Sequence, residues 1–169
     1  MNAKGTHPRH VLFLCTANSA RSIMAEALLG VLGRGRFVAY SAGSHPGGRV
    51  QPLAAELAVA FGYPAGRLRS KSWDEFAGAA ATPMDLIITV CDNAAGERCP
   101  VWPGHPAAAH WGVPDPAAVE GDEAQRRQAF HDAWTLLRRR VELLVALPDA
   151  SLEGPVAAAA LRRIAEAAT

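Results

Sequence analysis

The chain has 169 residues, half of them hydrophobic and a fifth charged, with a net charge of +1. That length suits one domain burying roughly 70% of its unfolded surface without disulfides or metals. The near-neutral balance excludes a nucleic-acid face or an electrostatic footing on a membrane, and no apolar run approaches the roughly 20 residues of a bilayer span.

Residues 1–10 are polar, with no hydrophobic segment before the first strand, unlike a signal peptide; a cytoplasmic location is expected. Val11-Leu-Phe-Leu-Cys15 is short and apolar enough to be a buried strand, and Ser19 to Gly33 carries helical spacing at Ile23, Ala27 and Val31. Arg36 to Ser41 is a second candidate strand, closed by Ala42-Gly43 and the turn-rich stretch Ser44 to Gly48. A helix follows, with Val50, Leu53, Leu57 and Phe61 on one face and Gly62 as its stop. Arg69 to Gly78 reads as a short helix or irregular crossover. Asp85 to Val90 is nearly all apolar, as a parallel strand covered on both faces should be. Cys91 to Gly104 is a loop rich in Gly, Pro and Asn, and Ala107 to Trp111 a last short strand before the turn Gly112 to Pro116.

Asp122 opens a long helix whose buried stripe is Phe130, Trp134, Leu137, Val141 and Leu144. Arg138, Arg139 and Arg140 within it read as a solvated face. The Ala-rich remainder, Leu152 to Ala168, is helical with Leu152, Val156 and Ile164 as anchors; packing on the domain, a subunit contact and fraying all stay open. Trp73, Trp102, Trp111 and Trp134 are read as packing residues. Strands alternating with helices imply an α/β sandwich around a parallel sheet, where ligands sit beyond the carboxyl ends of the strands. Cys15, Cys91 and Asp115 all fall at those ends.

A loop between a strand end and a helix start aims several backbone N–H groups at one point and makes a cavity for an oxyanion. Those groups and the positive end of the helix dipole are expected to lower the pKa of a thiol held there. Arg21 adds a planar, two-pronged donor. Ser22 is placed to donate to the thiolate, and Asn18 suits an unusual backbone conformation. An inert core cysteine would not need Asn18, Ser19, Arg21 and Ser22 crowded behind it. Three cysteines, an odd number, point to thiol chemistry rather than a disulfide framework. A zinc site from Cys91, Cys99, His105 and His110 lacks the short paired spacing of such ligands, so no metal is expected there. Asn18, Glu26 and Asp74 are candidate oxygens for a monovalent cation.

Cys15-x5-Arg21-Ser22 after the first strand, with the distant Asp115-Pro116, resembles the low-molecular-weight protein tyrosine phosphatase superfamily from about Val11 to Leu147. The resemblance implies a three-layer α/β sandwich with a central, mostly parallel four-stranded sheet. It implies Cys15 as nucleophile, Thr16, Ala17, Asn18, Ser19, Ala20, Arg21 and Ser22 as the oxyanion loop, and Asp115 as general acid. Cys91 to Pro100, containing Cys99, resembles the redox segment of the thiol-dependent arsenate reductases within that superfamily. So do Ser41-Ala42-Gly43 with Pro46 and Pro52, and His110-Trp111-Gly112. The tyrosine phosphatases usually carry tyrosines after their Asp-Pro, where this chain has Ala117 and Ala118.

The reductase resemblance implies conversion of arsenate to arsenite, with Cys91 and then Cys99 forming a disulfide relay. It implies no tightly bound cofactor but an external thiol reductant, either thioredoxin or glutaredoxin with glutathione. Residues 1–148 would form the reductase domain and 149–169 a helical extension. A phosphatase cleaving phosphate monoesters through a phosphocysteine is the alternative, and a non-catalytic oxyanion sensor a more distant one. Seven residues separate Cys91 from Cys99, where thioredoxin-linked relatives have six; Ala17 replaces a common glycine and Ala20 an occasional cysteine.

Overall fold

The computed structural model describes residues 7–78, 80–91 and 102–169. Cys99 lies outside the described residues.

Four short strands form the sheet: β1 (Arg9–Cys15), β2 (Phe37–Gly43), β3 (Leu86–Thr89) and β4 (Ala107–His110). Their order is β2-β1-β3-β4 and every pairing is parallel, with Val11 opposite Ala39 on one side and Leu86 on the other. The helices are α1 (Arg21–Leu32), α2 (Pro52–Ala60), α3 (Glu123–Ala146) and α4 (Val156–Ala167). Strand alternation divides the core. Val11, Phe13, Leu86 and Ile88 face the layer formed by the helices, whereas Leu12, Leu14 and Ile87 face the opposite side. Trp73, Phe76, Tyr40 and Trp102 cover that second side. Residues 69–78, read as a helix or crossover, contain one 3₁₀ turn, Trp73–Phe76, with Ser72 as its cap.

Apolar periodicity locates the elements well. The stripe expected on α3 is buried in full, and the helix starts behind Asp122 in a reciprocal capping box with Gln125. β2 runs two residues further than expected, to Gly43, because the ladder with β1 continues through Cys15 opposite Gly43. On α2 the innermost residues are Ala54 and Ala58, with Leu53, Leu57 and Phe61 beside them, since small side chains let the helix approach closely.

Two expectations are corrected. Arg140 is not solvated: it is 4% exposed. Of the three anchors expected for the last segment, Leu152 and Ile164 are buried, but Val156 is 50% exposed; Ala157, Ala160 and Leu161 take its place. That helix is packed on β4, neither frayed nor free. Trp111 and Trp134 are buried, and Trp73 packs edge-on against Trp102. Among the described residues no helix is long and apolar enough to cross a membrane.

Candidate active site

Cys15 ends β1 and is 4% exposed. The loop behind it is shaped by bonds to its outward-facing carbonyls. Ser44 N–H donates to the Cys15 carbonyl at 3.3 Å, His45 to Thr16 at 2.9 Å, Gly47 to Ala17 at 3.1 Å and Gln51 to Ser19 at 2.8 Å. The Ser70 hydroxyl also donates to the Ala17 carbonyl, at 3.0 Å. Because C=O and N–H of one peptide unit point in opposite directions, the N–H groups of Thr16, Ala17, Asn18 and Ala20 are turned to the inside of the loop. The helix that follows begins at Arg21 with no side-chain cap and no acidic residue in its first turn. Its orphan donors thus face the same concavity.

Asn18 has φ of 48°. It is fully buried and held on both sides: its amide donates to Ser22 Oγ at 2.8 Å, and its Oδ1 accepts from Lys71 N–H at 2.9 Å. Gly43 passes so close that a Cβ there would lie 2.4 Å from the Thr16 carbonyl oxygen. Only glycine permits β2 to back the loop at that distance.

Arg21 donates to the Val113 carbonyl at 3.0 Å, and its guanidinium lies 3.6 Å from Asp115 Oδ2. Asp115 caps the 3₁₀ turn Pro116–Ala118 by accepting from Ala117 N–H at 3.0 Å. Its side chain is 40% exposed, against 15% for Arg21, so the carboxylate stands at the mouth and the guanidinium deeper. Cys91, just beyond β3, is buried, and Thr16 Oγ1 lies 3.5 Å from its sulfur. It follows β3, the strand paired with β1, so the two cysteines stand at the same edge of the sheet. Neither Cys15 nor Cys91 is in a disulfide.

The second cysteine changes the expected acidity. The hydrogen bond with Cys91 and burial push the Cys15 thiol well up, against the Arg21 guanidinium and the Thr16 N–H, which pull it down. The sequence suggests a depressed pKa because it shows the amide loop but not the burial and the second cysteine that act on the first. The two sulfurs titrate as a pair: once one is ionised, its charge opposes ionisation of the other in a buried site.

A buried polar network lies behind the loop. Glu26 accepts from Ser41 Oγ at 2.5 Å and from the Tyr63 hydroxyl, and Lys71 Nζ lies 3.7 Å from its Oε1. Lys71 Nζ also donates to Ser41 Oγ at 3.3 Å and to the Arg69 carbonyl at 3.0 Å. Burial lowers the Lys71 pKa, with Glu26 opposing; burial and the Glu26 charge raise that of Tyr63. Lys71 Nζ thus sits beside the Glu26 carboxylate inside the protein. The sequence reading missed Lys71 and Tyr63, since neither belongs to a motif, and only the fold brings them to Glu26.

His110 ends β4 at this edge and its Nδ1 lies 2.8 Å from Thr89 Oγ1. His105 precedes β4 and lines a cleft with Arg9 and Asp85 at the opposite end of the sheet. The strand between them separates the two histidines of the zinc alternative. Cys15, the loop to Ser22, Cys91 and Asp115 thus share one edge; Cys99 falls outside the described residues.

Comparison with known proteins accords with this arrangement. The low molecular weight phosphotyrosine protein phosphatase family matches residues 10–154. The chain belongs to that family. Its relatives include the arsenate reductase of Bacillus subtilis strain 168, 33% identical over 120 residues, covering 71% of this chain and 83% of the relative. The arsenate reductase of Bacillus licheniformis is 36% identical over 132 residues, 78% of this chain and 91% of the relative. Among solved structures, arsenate reductase from Archaeoglobus fulgidus DSM 4304 is 30% identical with a TM-score of 0.56, covering 78% of this chain and 98% of that one.

Proposed function

We propose that the protein is an arsenate reductase that converts arsenate to arsenite through Cys15 and a cysteine relay. The observation that carries the reading is the placement of two buried cysteines, Cys15 and Cys91, at the ends of adjacent parallel strands, with Thr16 Oγ1 of the loop 3.5 Å from the Cys91 sulfur. A phosphatase finishes its cycle with water and has no need of a second sulfur there.

Arsenate enters the loop from Thr16 to Ser22, where inward N–H groups and Arg21 bind its oxygens. The Cys15 thiolate attacks arsenic, and Asp115 protonates the departing oxygen, which leaves as water. Cys91 thiolate then attacks the Cys15 sulfur. The S–S bond forms, and the electron pair of the S–As bond stays with arsenic, reducing it from +5 to +3 and releasing arsenite. Cys99 attacks Cys91 and returns Cys15 as a thiolate, leaving a Cys91–Cys99 disulfide. An external thiol reductant closes the cycle; thioredoxin is favoured by the three-cysteine relay, with glutaredoxin and glutathione second. A reducing, cytoplasmic compartment suits that requirement.

Replacing Cys91 or Cys99 with serine should abolish multiple-turnover reduction of arsenate while sparing weak hydrolysis of phosphate esters. Full activity of both variants with thioredoxin, thioredoxin reductase and NADPH would refute the relay. The phosphatase reading draws on the family's name and shares the loop. It predicts phosphate ester hydrolysis far exceeding arsenate reduction in the unaltered protein.

A further inference from the structure

The last helix, α4, begins just beyond the family match, which ends at residue 154, and yet it reaches the segment that carries Asp115. The Leu161 carbonyl in its middle accepts from Trp111 Nε1 at 3.0 Å. The Ala168 carbonyl just past its end accepts from Arg140 Nε at 2.9 Å, and Arg140 Nη1 donates to the Gly112 carbonyl at 3.0 Å. Trp111 is wholly buried and Arg140 is 4% exposed, so the two bonds to α4 are made away from solvent and the one to Gly112 is partly buried. From the other side, Trp111 N–H donates to the Thr89 carbonyl at 2.7 Å, and Val113 N–H to Val90 at 3.1 Å. Arg21 donates to the Val113 carbonyl. Residues 111–113 are therefore held between the sheet edge and the helix, with Asp115 two residues on.

A guanidinium taken out of water needs acceptors, and burial alone lowers the pKa of Arg140. Of its acceptors, one is at the negative end of α4 and the other is the Gly112 carbonyl itself. Losing α4 would leave this cation with fewer acceptors and Trp111 with a buried, unpaired N–H. Both effects act on the two residues that begin the acid-bearing turn.

We infer that α4 and Arg140 form a positioning clamp for Asp115, with Trp111 and Gly112 as the points gripped. The inference rests on Asp115 being the general acid. Trp111 and Arg140 are positioning residues: neither contacts the oxyanion loop through any bond described above. They govern where the acid stands, so their loss slows proton delivery more than it weakens oxyanion binding, which Arg21 shares with the loop N–H groups.

The test uses the full-length, pre-reduced protein and the single-turnover rate of arsenite release, with phosphate as competitor to read oxyanion binding. Trp111→Phe keeps the ring and removes the donor; Arg140→Met keeps the length and removes the charge. Each should slow release by about tenfold, as displacement of a catalytic group does. The phosphate inhibition constant should stay within about twofold. In an Asp115→Asn background either change should cost less than about twofold more, because the group being positioned is already gone. Equal losses in both backgrounds, or no loss in either, overturns the clamp. Unchanged release by Asp115→Asn alone overturns the acid assignment instead. Trp111→Phe decides the matter if Arg140→Met fails to fold.

Discussion

Gly43 shows how one residue can shape the site without touching substrate. A methyl group there meets the Thr16 carbonyl at 2.4 Å and the Asn18 nitrogen at 3.0 Å, both backbone atoms with nowhere to retreat. Gly43→Ala should cost about 1–3 kcal/mol, the usual range for overpacking. Denaturant midpoints would read that loss, with weakened phosphate binding beside it. Cys15 supplies a pH prediction. Cys91 is the first cause of its raised pKa, so Cys91→Ala should shift alkylation of Cys15 by iodoacetamide to lower pH. An unmoved alkylation profile contradicts Cys91 as the cause of the raised pKa. Asn18 was legible as the loop's strained residue because asparagine tolerates positive φ. The raised thiol was not legible, since its cause stands 76 positions away in the chain.

Between elements, Lys71 and Glu26 join α1, β2 and the segment before Trp73. The pair is nearly closed to water, each side chain 6% exposed. Breaking a buried pair leaves one charge without a partner, so Lys71→Met should destabilise by about 3–5 kcal/mol. The double variant Lys71→Met with Glu26→Gln should recover part of that, read by thermal melting. The α3 start is a smaller contribution: Asp122→Ala should cost about 1 kcal/mol through loss of the capping box. The α3 stripe was readable because successive apolar residues repeat with the helical period. Arg140 was misread as part of an arginine run, although its spacing places it on the stripe, three after Leu137 and one before Val141. Helical geometry sends three consecutive residues in three directions, so a charge run need not share one face.

For the molecule as a whole, α4 closes the helix-covered side of β4 and buries Leu161 completely. Leu161→Ala should lower stability by about 2–5 kcal/mol, the cost of a cavity at a packed site. A small change in melting temperature would show this helix to be loosely docked. Fold class, the strands in their chain order and the Cys15–Arg21 loop between β1 and α1 are local matters. Hydrophobic period, chain punctuation and one compact motif specify them, and sequence alone determined them here. The meeting of Cys15 with Cys91, of Lys71 with Glu26, and of Arg140 with Gly112 and Ala168 was decided only in three dimensions. Each depends on which buried groups come within a few ångströms after distant segments pack, and neither period nor motif encodes that distance.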